Sequence, residues 1–135
     1  MDGYHRALHL FVNPSDSYAD VNKEDPNVIY YGPGEYDCGR IELKSNQTLF
    51  IDKGAVVYGC VHSDNTSNVK IIGNGILDCS KMVRSQGQAI AMNYVTGAEI
   101  SGITINDPAE WSIRIADSDQ FLFDNVKIIG AWRYN

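Results

Sequence analysis

A short apolar pattern recurs along this chain at nearly fixed intervals, and that recurrence constrains its fold more than any other feature. Ile113-Arg114-Ile115 repeats Ile90-Ala91-Met92 after 23 residues, and at the same interval Phe123 follows Ile100, Val126 follows Ile103 and Ile128 follows Ile105. Self-similarity of this kind marks a repeat architecture, in which each unit stacks its apolar face on the next. Within each unit the apolar residues come as i, i+2 pairs, such as Ile90/Met92 and Ile103/Ile105, which is the period of strands rather than helices. A unit of roughly 20–28 residues holding several short strands is one coil of a parallel β-helix.

The pattern extends upstream. Val69/Ile71 repeats Leu49/Ile51 after 20 residues, and Ile76-Leu77 repeats Val56-Val57 at the same interval, with Gly73-Asn74-Gly75 in the place of Lys53-Gly54-Ala55. Regular structure is expected from Val28-Ile29-Tyr30-Tyr31 onward, turned first by Gly32-Pro33-Gly34. His62 to Asn68 reads as a polar loop, and Ser80 to Gln88 as a longer polar excursion. The expectation is an all-β, right-handed parallel β-helix of about four coils over residues 28–135. Leu49, Ile51, Val69, Ile71, Ile90, Met92, Ile103, Ile105, Val126 and Ile128 point inward. Residues 1–27 form a leading segment, with the run Ala7 to Val12 as a strand or cap and Asn13 to Pro26 as a loop. Such a segment is the natural cover for an open coil end, which would otherwise show apolar surface and unpaired strand edges.

Composition narrows the partners. A chain of 135 residues that is 44% hydrophobic can bury one core, and a net charge of −6 makes nucleic acid an unsuitable partner. No apolar run approaches the roughly 18 residues that span a membrane. The start, Met1 to Arg6, lacks a basic segment leading into an apolar one, so no signal peptide is visible and a cytoplasmic location is the expectation. Cys38, Cys60 and Cys79 have no CxxC spacing, which points to free buried thiols rather than a metal site; a Cys60–Cys79 bridge stays open. No metal or cofactor is expected.

Several segments resemble glycoside hydrolase family 28, the polygalacturonase-like members of the pectin-lyase-like β-helix superfamily. They are Tyr31-Gly32-Pro33-Gly34-Glu35-Tyr36, Leu43 to Leu49, Gly54-Ala55-Val56-Val57-Tyr58-Gly59, Ile72 to Asp78, and Asn106-Asp107-Pro108-Ala109-Glu110-Trp111-Ser112-Ile113. The resemblance implies a hydrolase of pectin-type or related polysaccharides. In that family the following coils carry N-T-D, D-D, G-H-G and R-x-K, and none of these is complete here. If Asn135 opens the first of them, the catalytic carboxylates lie beyond it and the chain is an amino-terminal piece lacking its later coils. A polysaccharide lyase and a non-catalytic sugar-binding solenoid are the alternatives, because function lives in the site and not in the fold.

Glycoside hydrolysis needs a proton donor and a second carboxylate across the scissile bond. Asp107, Glu110, Asp117, Asp119 and Asp124 are available, but each reads as a turn residue without a partner on the next coil. No catalytic residue is assigned. By the resemblance, Trp111 and Arg114 lie beside the cleft. Trp111 either stacks on a sugar ring or packs into the wall, and Arg114 either pairs with a uronate carboxylate or answers nearby acids. Trp132, Arg133, Tyr134 and Asn135 form a second candidate sugar-contacting group, with turn-covering roles as the alternative. His5, His9 and His62 are expected outside the coils.

Overall fold

A computed structural model describes residue 8, residues 10–12 and residues 18–130. Among the described residues, ten strands wind into a parallel β-solenoid of about four turns: β1 (Val28–Tyr31), β2 (Gly34–Leu43), β3 (Thr48–Ile51), β4 (Ala55–Gly73), β5 (Ile76–Asp78), β6 (Ile90–Ser101), β7 (Thr104–Asn106), β8 (Ile113–Ala116), β9 (Asp119–Asp124) and β10 (Lys127–Ile129). Every pairing is parallel, each strand lying on its counterpart one coil away.

Three faces result. The first stacks Ile29, Leu49, Ile71, Ile100 and Phe123 in register. The second stacks Tyr36, Val57, Leu77, Ile105 and Ile128. The third stacks Ile41, Val61, Ile90 and Ile113, with Leu43, Ser63, Met92 and Ile115 beside them. The inward rows form one core, in which Leu49, Ile71, Val57, Leu77, Ile90, Met92, Ile100 and Ile105 are fully buried. The chain turns its corners through left-handed residues that also stack. Asn65, Tyr94 and Asp117 have φ of 52°, 52° and 49°, and Asn46, Asn68 and Gln120 have 65°, 54° and 58°. Asn and Asp adopt that region more readily than most side chains, which is one reason the corners are rich in them.

The inward assignments hold for eight of the ten residues as full burial. Val126 is partly buried. Ile128 stacks on Ile105 but is 51% exposed, because no described coil lies over the last turn. Ile115 and Phe123 are open for the same reason, at 38% and 45%.

Two expectations need correction. The first face steps by 22 residues, not 20: Leu49 pairs with Ile71, and Ile51 with Gly73. The second face does step by 20, since Val56 pairs with Ile76. The corner after β3 is therefore two residues longer than its counterpart. A slip of two keeps every side chain on its own face, so the inward residues are the same in either register. The second correction concerns His62 to Asn68, which is not a loop but part of β4, paired with β2 below and β6 above. Ser63 sits in the core there, its hydroxyl donating to the Leu43 carbonyl at 3.1 Å and bonded to Thr66 Oγ1 at 2.6 Å. That polar residue at an inward position broke the apolar alternation.

Leu8 and residues 10–12 adopt no strand, and Leu8 and Val12 are about nine-tenths exposed, at 89% and 90%. Residues 18–27 run along the outside of the first face. Tyr18 packs on Phe50 with ring centroids 5.9 Å apart and donates to Ser101 Oγ at 3.1 Å. Lys23 bonds Asp52 at 2.8 Å. This strap explains why the outward residues Phe50, Ile72 and Ser101 are buried. It leaves the outward rows of the second and third faces uncovered, and the third face carries charged and imidazole groups together with the entry to β8.

Candidate functional site on the third face

The outward side of the third face is built by alternation. Between the inward residues of β2, β4, β6 and β8 stand Glu42, His62, Ala91 and Arg114, in register across four coils. A second outward row holds Asp64, Asn93 and Ala116. Neighbouring parallel strands lie roughly 4.8 Å apart, so each row samples the face at about that interval.

Arg40 is ion-paired with Glu42, and Arg114 donates to the Asn93 side-chain oxygen. Trp111 stands at the entry to β8 and is 65% exposed. That exposure sets it projecting from the surface rather than packed into the wall. Arg114 bonds Asn93 rather than an acid. Gln88 donates to Glu110 at 2.9 Å, with Arg84 Nε 3.7 Å from the same carboxylate, and these contacts tie the 80–88 excursion to the segment before β8. The excursion overlies the lower coils, where a cavity of about 220 Å³ is lined by Gly39, Arg40, Cys60, Met82, Ser85 and Gln86.

His62 belongs to this face and not outside the coils. The sequence signal for it was its place 20 residues after Glu42 and one after the inward Val61. Its Nε2 is buried without a hydrogen-bond partner. In register, Ala91 above it offers no polar side-chain atom, and Glu42 below is engaged by Arg40. Burial, aided by the Arg40 charge, pushes the imidazole below its ordinary 6.5, against a smaller opposing pull from Glu42. The folded protein therefore takes this proton less readily than the unfolded chain. The resulting stability is whole above pH 6.5 and drains as pH falls through the folded pKa. Urea denaturation at pH 7 and pH 5 should show a fall in stability that is shallower in His62→Gln; an equal fall in both proteins would contradict this placement.

The acids behave as corners rather than as a catalytic pair. Asp107 and Asp117 have left-handed backbones, with φ of 47° and 49°, and Asp124 ends β9 just before Asn125 at 52°. Asp107 differs from the solvated turn expected of it, being only 8% exposed. Among the described residues no three His, Cys, Asp or Glu side chains converge as a metal site. Cys60 and Cys79 are both free thiols, so no bridge joins them; Cys79 donates to the Gly59 carbonyl at 3.3 Å, and burial pushes it up to about 12. Trp132, Arg133, Tyr134 and Asn135, with His5 and His9, lie outside the described residues.

The described residues form a parallel β-solenoid of about four turns whose third face carries stacked polar side chains outward. Among solved structures, the chain is similar to a candidate glycosyl hydrolase from Parabacteroides merdae, with a TM-score of 0.70 and 25% identity over 78% of this chain. It spans 61% of that protein's length. No protein-family model matches the chain, and no curated protein matches it.

Proposed function

We propose that this chain is the amino-terminal part of a polysaccharide-hydrolysing enzyme of the family 28, polygalacturonase-like kind, and that its third face is one wall of the glycan cleft. The observation that carries the reading is Trp111, a large aromatic held 65% exposed beside a row of polar side chains on a rigid stack. Such a ring presents an apolar plane to the C–H face of a sugar, while its neighbours bond the hydroxyls. The similarity to the Parabacteroides candidate hydrolase supports the same class of activity.

In this reading the paired carboxylates stand on coils that follow residue 135. The inward side chains left open on the last turn, Ile115, Phe123 and Ile128, support a further coil stacking there. The described acids fit the same view: Asp107, Asp117 and Asp124 stand at or beside corners, and on the third face Glu42 is ion-paired with Arg40 while Asp64 lies in register with Asn93 rather than with a second carboxylate. Proton donation and water activation then belong to the later coils, and residues 28–130 bind and align the chain of sugars.

Affinity electrophoresis through gels cast with soluble polysaccharides tests the binding step. At least one polysaccharide should retard the protein, and Trp111→Ala should lower that affinity about tenfold, as expected for loss of a stacking contact worth about 1–1.5 kcal/mol. Retardation that is unchanged by Trp111→Ala would remove the third face as the binding wall.

A further inference from the structure

We propose that Glu110 is a positioning residue for Trp111: the 80–88 excursion clamps its carboxylate, and the clamp fixes the plane that the Trp111 ring offers to a sugar. The proposal rests on the carbohydrate reading above, and its first readout needs no glycan.

Trp111 lies in a stretch with no strand of its own, between the end of β7 at Asn106 and the start of β8 at Ile113. Backbone bonds set the path of that stretch. The Asp107 N–H donates to the Ile129 carbonyl at 2.8 Å, the Trp111 carbonyl accepts from Ala89 at 3.2 Å, and the Ser112 carbonyl accepts from Ile90 at 3.0 Å. Ala109 packs into the core between them. These contacts hold the main chain but not the indole, which is mostly exposed. A side chain so open keeps its rotamer freedom unless something beside it removes that freedom.

Glu110 stands directly before Trp111 and is held at both carboxylate oxygens. Gln88 Nε2 donates to Oε2 at 2.9 Å, and Arg84 Nε lies 3.7 Å from Oε1. The two partners come from different parts of the excursion, which is itself well tied. Met82 anchors it in the core, and the Val83 N–H donates to the Gln86 side-chain oxygen at 2.7 Å. The Gln86 and Gly87 N–H groups close a tight turn onto the Val83 and Arg84 carbonyls at 2.9 and 3.1 Å. An exposed ion pair alone is weak, but a hydrogen bond to a carboxylate is stronger, and two points of attachment fix a direction that one does not. With Glu110 tied down, the peptide between it and Trp111 loses its freedom to rotate, and the direction in which the Trp111 side chain leaves the backbone is set. A stacking plane ordered in advance loses less freedom on binding. Glu110 thus raises affinity without touching the sugar.

The test uses the 135-residue protein carrying Trp132→Phe, which leaves Trp111 as the one tryptophan. Time-resolved fluorescence anisotropy reads the freedom of its ring. In Glu110→Ala and in Gln88→Ala the amplitude of the fast depolarisation should rise about twofold, and the double variant should show no more than either single one, as expected for two ends of one contact. Glu110→Gln keeps an acceptor for Gln88 and should restore about half of the ordering. Circular dichroism and thermal melts confirm that each variant is folded. Binding is read by affinity electrophoresis in gels containing dextran, arabinan, galactan or polygalacturonate. Glu110→Ala and Gln88→Ala should each weaken retention by the best of these about threefold, and neither should change it in a Trp111→Ala background. Unchanged anisotropy in both single variants would overturn the positioning role. A further loss caused by Glu110→Ala on top of Trp111→Ala would overturn it too, since Glu110 would then contact the glycan itself. A freer ring with undiminished retention would overturn the link to binding and leave the carbohydrate reading standing. No retention by any of the four polymers would overturn the carbohydrate reading, while a freer ring in Glu110→Ala would still support the clamp.

Discussion

Gly73→Ala should unfold this protein at temperatures where the unaltered chain is folded. Gly73 closes β4 at the corner above Ile51, with φ of 128°, in the region that side-chain-bearing residues avoid. A Cβ there would stand 2.0 Å from the Ile51 carbonyl oxygen and 2.7 Å from its carbon. Both are backbone atoms of the coil below, so no rotamer change relieves the overlap. The stack must separate locally or the corner must rebuild, and either breaks the pairing of β3 with β4. Overpacking and backbone strain together place the cost at about 3–5 kcal/mol, a large share of the roughly 5–15 kcal/mol that holds a domain folded. Gly87→Ala is the matched control. Its φ is also positive, at 87°, but nothing lies within 4 Å of the added Cβ, so only backbone strain of about 1–3 kcal/mol remains. Thermal melts of the two variants beside the unaltered protein decide the matter. Similar losses in both would show that coil contact at Gly73 does not limit the fold.

The same coil-on-coil contact explains what the sequence disclosed. Inward i, i+2 pairs such as Ile90/Met92 and Ile103/Ile105 must recur, because each is covered by its equivalent one coil away, and so the solenoid and most of its core were legible. Register on the first face was not. The Gly-containing corners at Lys53-Gly54-Ala55 and Gly73-Asn74-Gly75 align correctly with the second face, and carrying that interval back across a longer corner misplaces Leu49 by two residues. Corner length is set by backbone turns that leave little trace in apolar periodicity. The polar row of the third face was hidden for a related reason. Ser63 satisfies its hydroxyl inside the core, so the stretch from His62 onward lacks the apolar alternation of a strand and gives no sequence signal that places His62 on a coil. Trp111 could be singled out because it falls in a segment resembling a known family, but whether it projects or packs depends on the excursion beside it, which sequence spacing does not fix.

The second large effect concerns turnover. Glycoside cleavage asks for two carboxylates placed across one bond, and a wall that only binds supplies neither the proton nor the activated water. Removal of such paired groups is worth several orders of magnitude in rate, since general acid–base catalysis alone contributes about 100- to 10,000-fold. The acids described here, Asp107, Asp117 and Asp124 among them, sit at corners, and Glu110 is occupied by Gln88. The 135-residue protein should therefore bind a polysaccharide without cutting it, as half of a cleft would.

The most direct measurement compares release of reducing ends by this protein and by the longer chain that the proposed function calls for. Both are assayed on the polymer that retards the protein most strongly. The account predicts no release above background from residues 1–135 and clear turnover from the longer product, whose added coils would bring the carboxylates to the face that Trp111 and Arg114 begin. Equal turnover by the two would contradict it, because the chemistry would then lie in acids within residues 1–135, at the corners or on the third face. Absence of turnover from the longer product would contradict it as well, and would leave a solenoid that binds sugar without cleaving it.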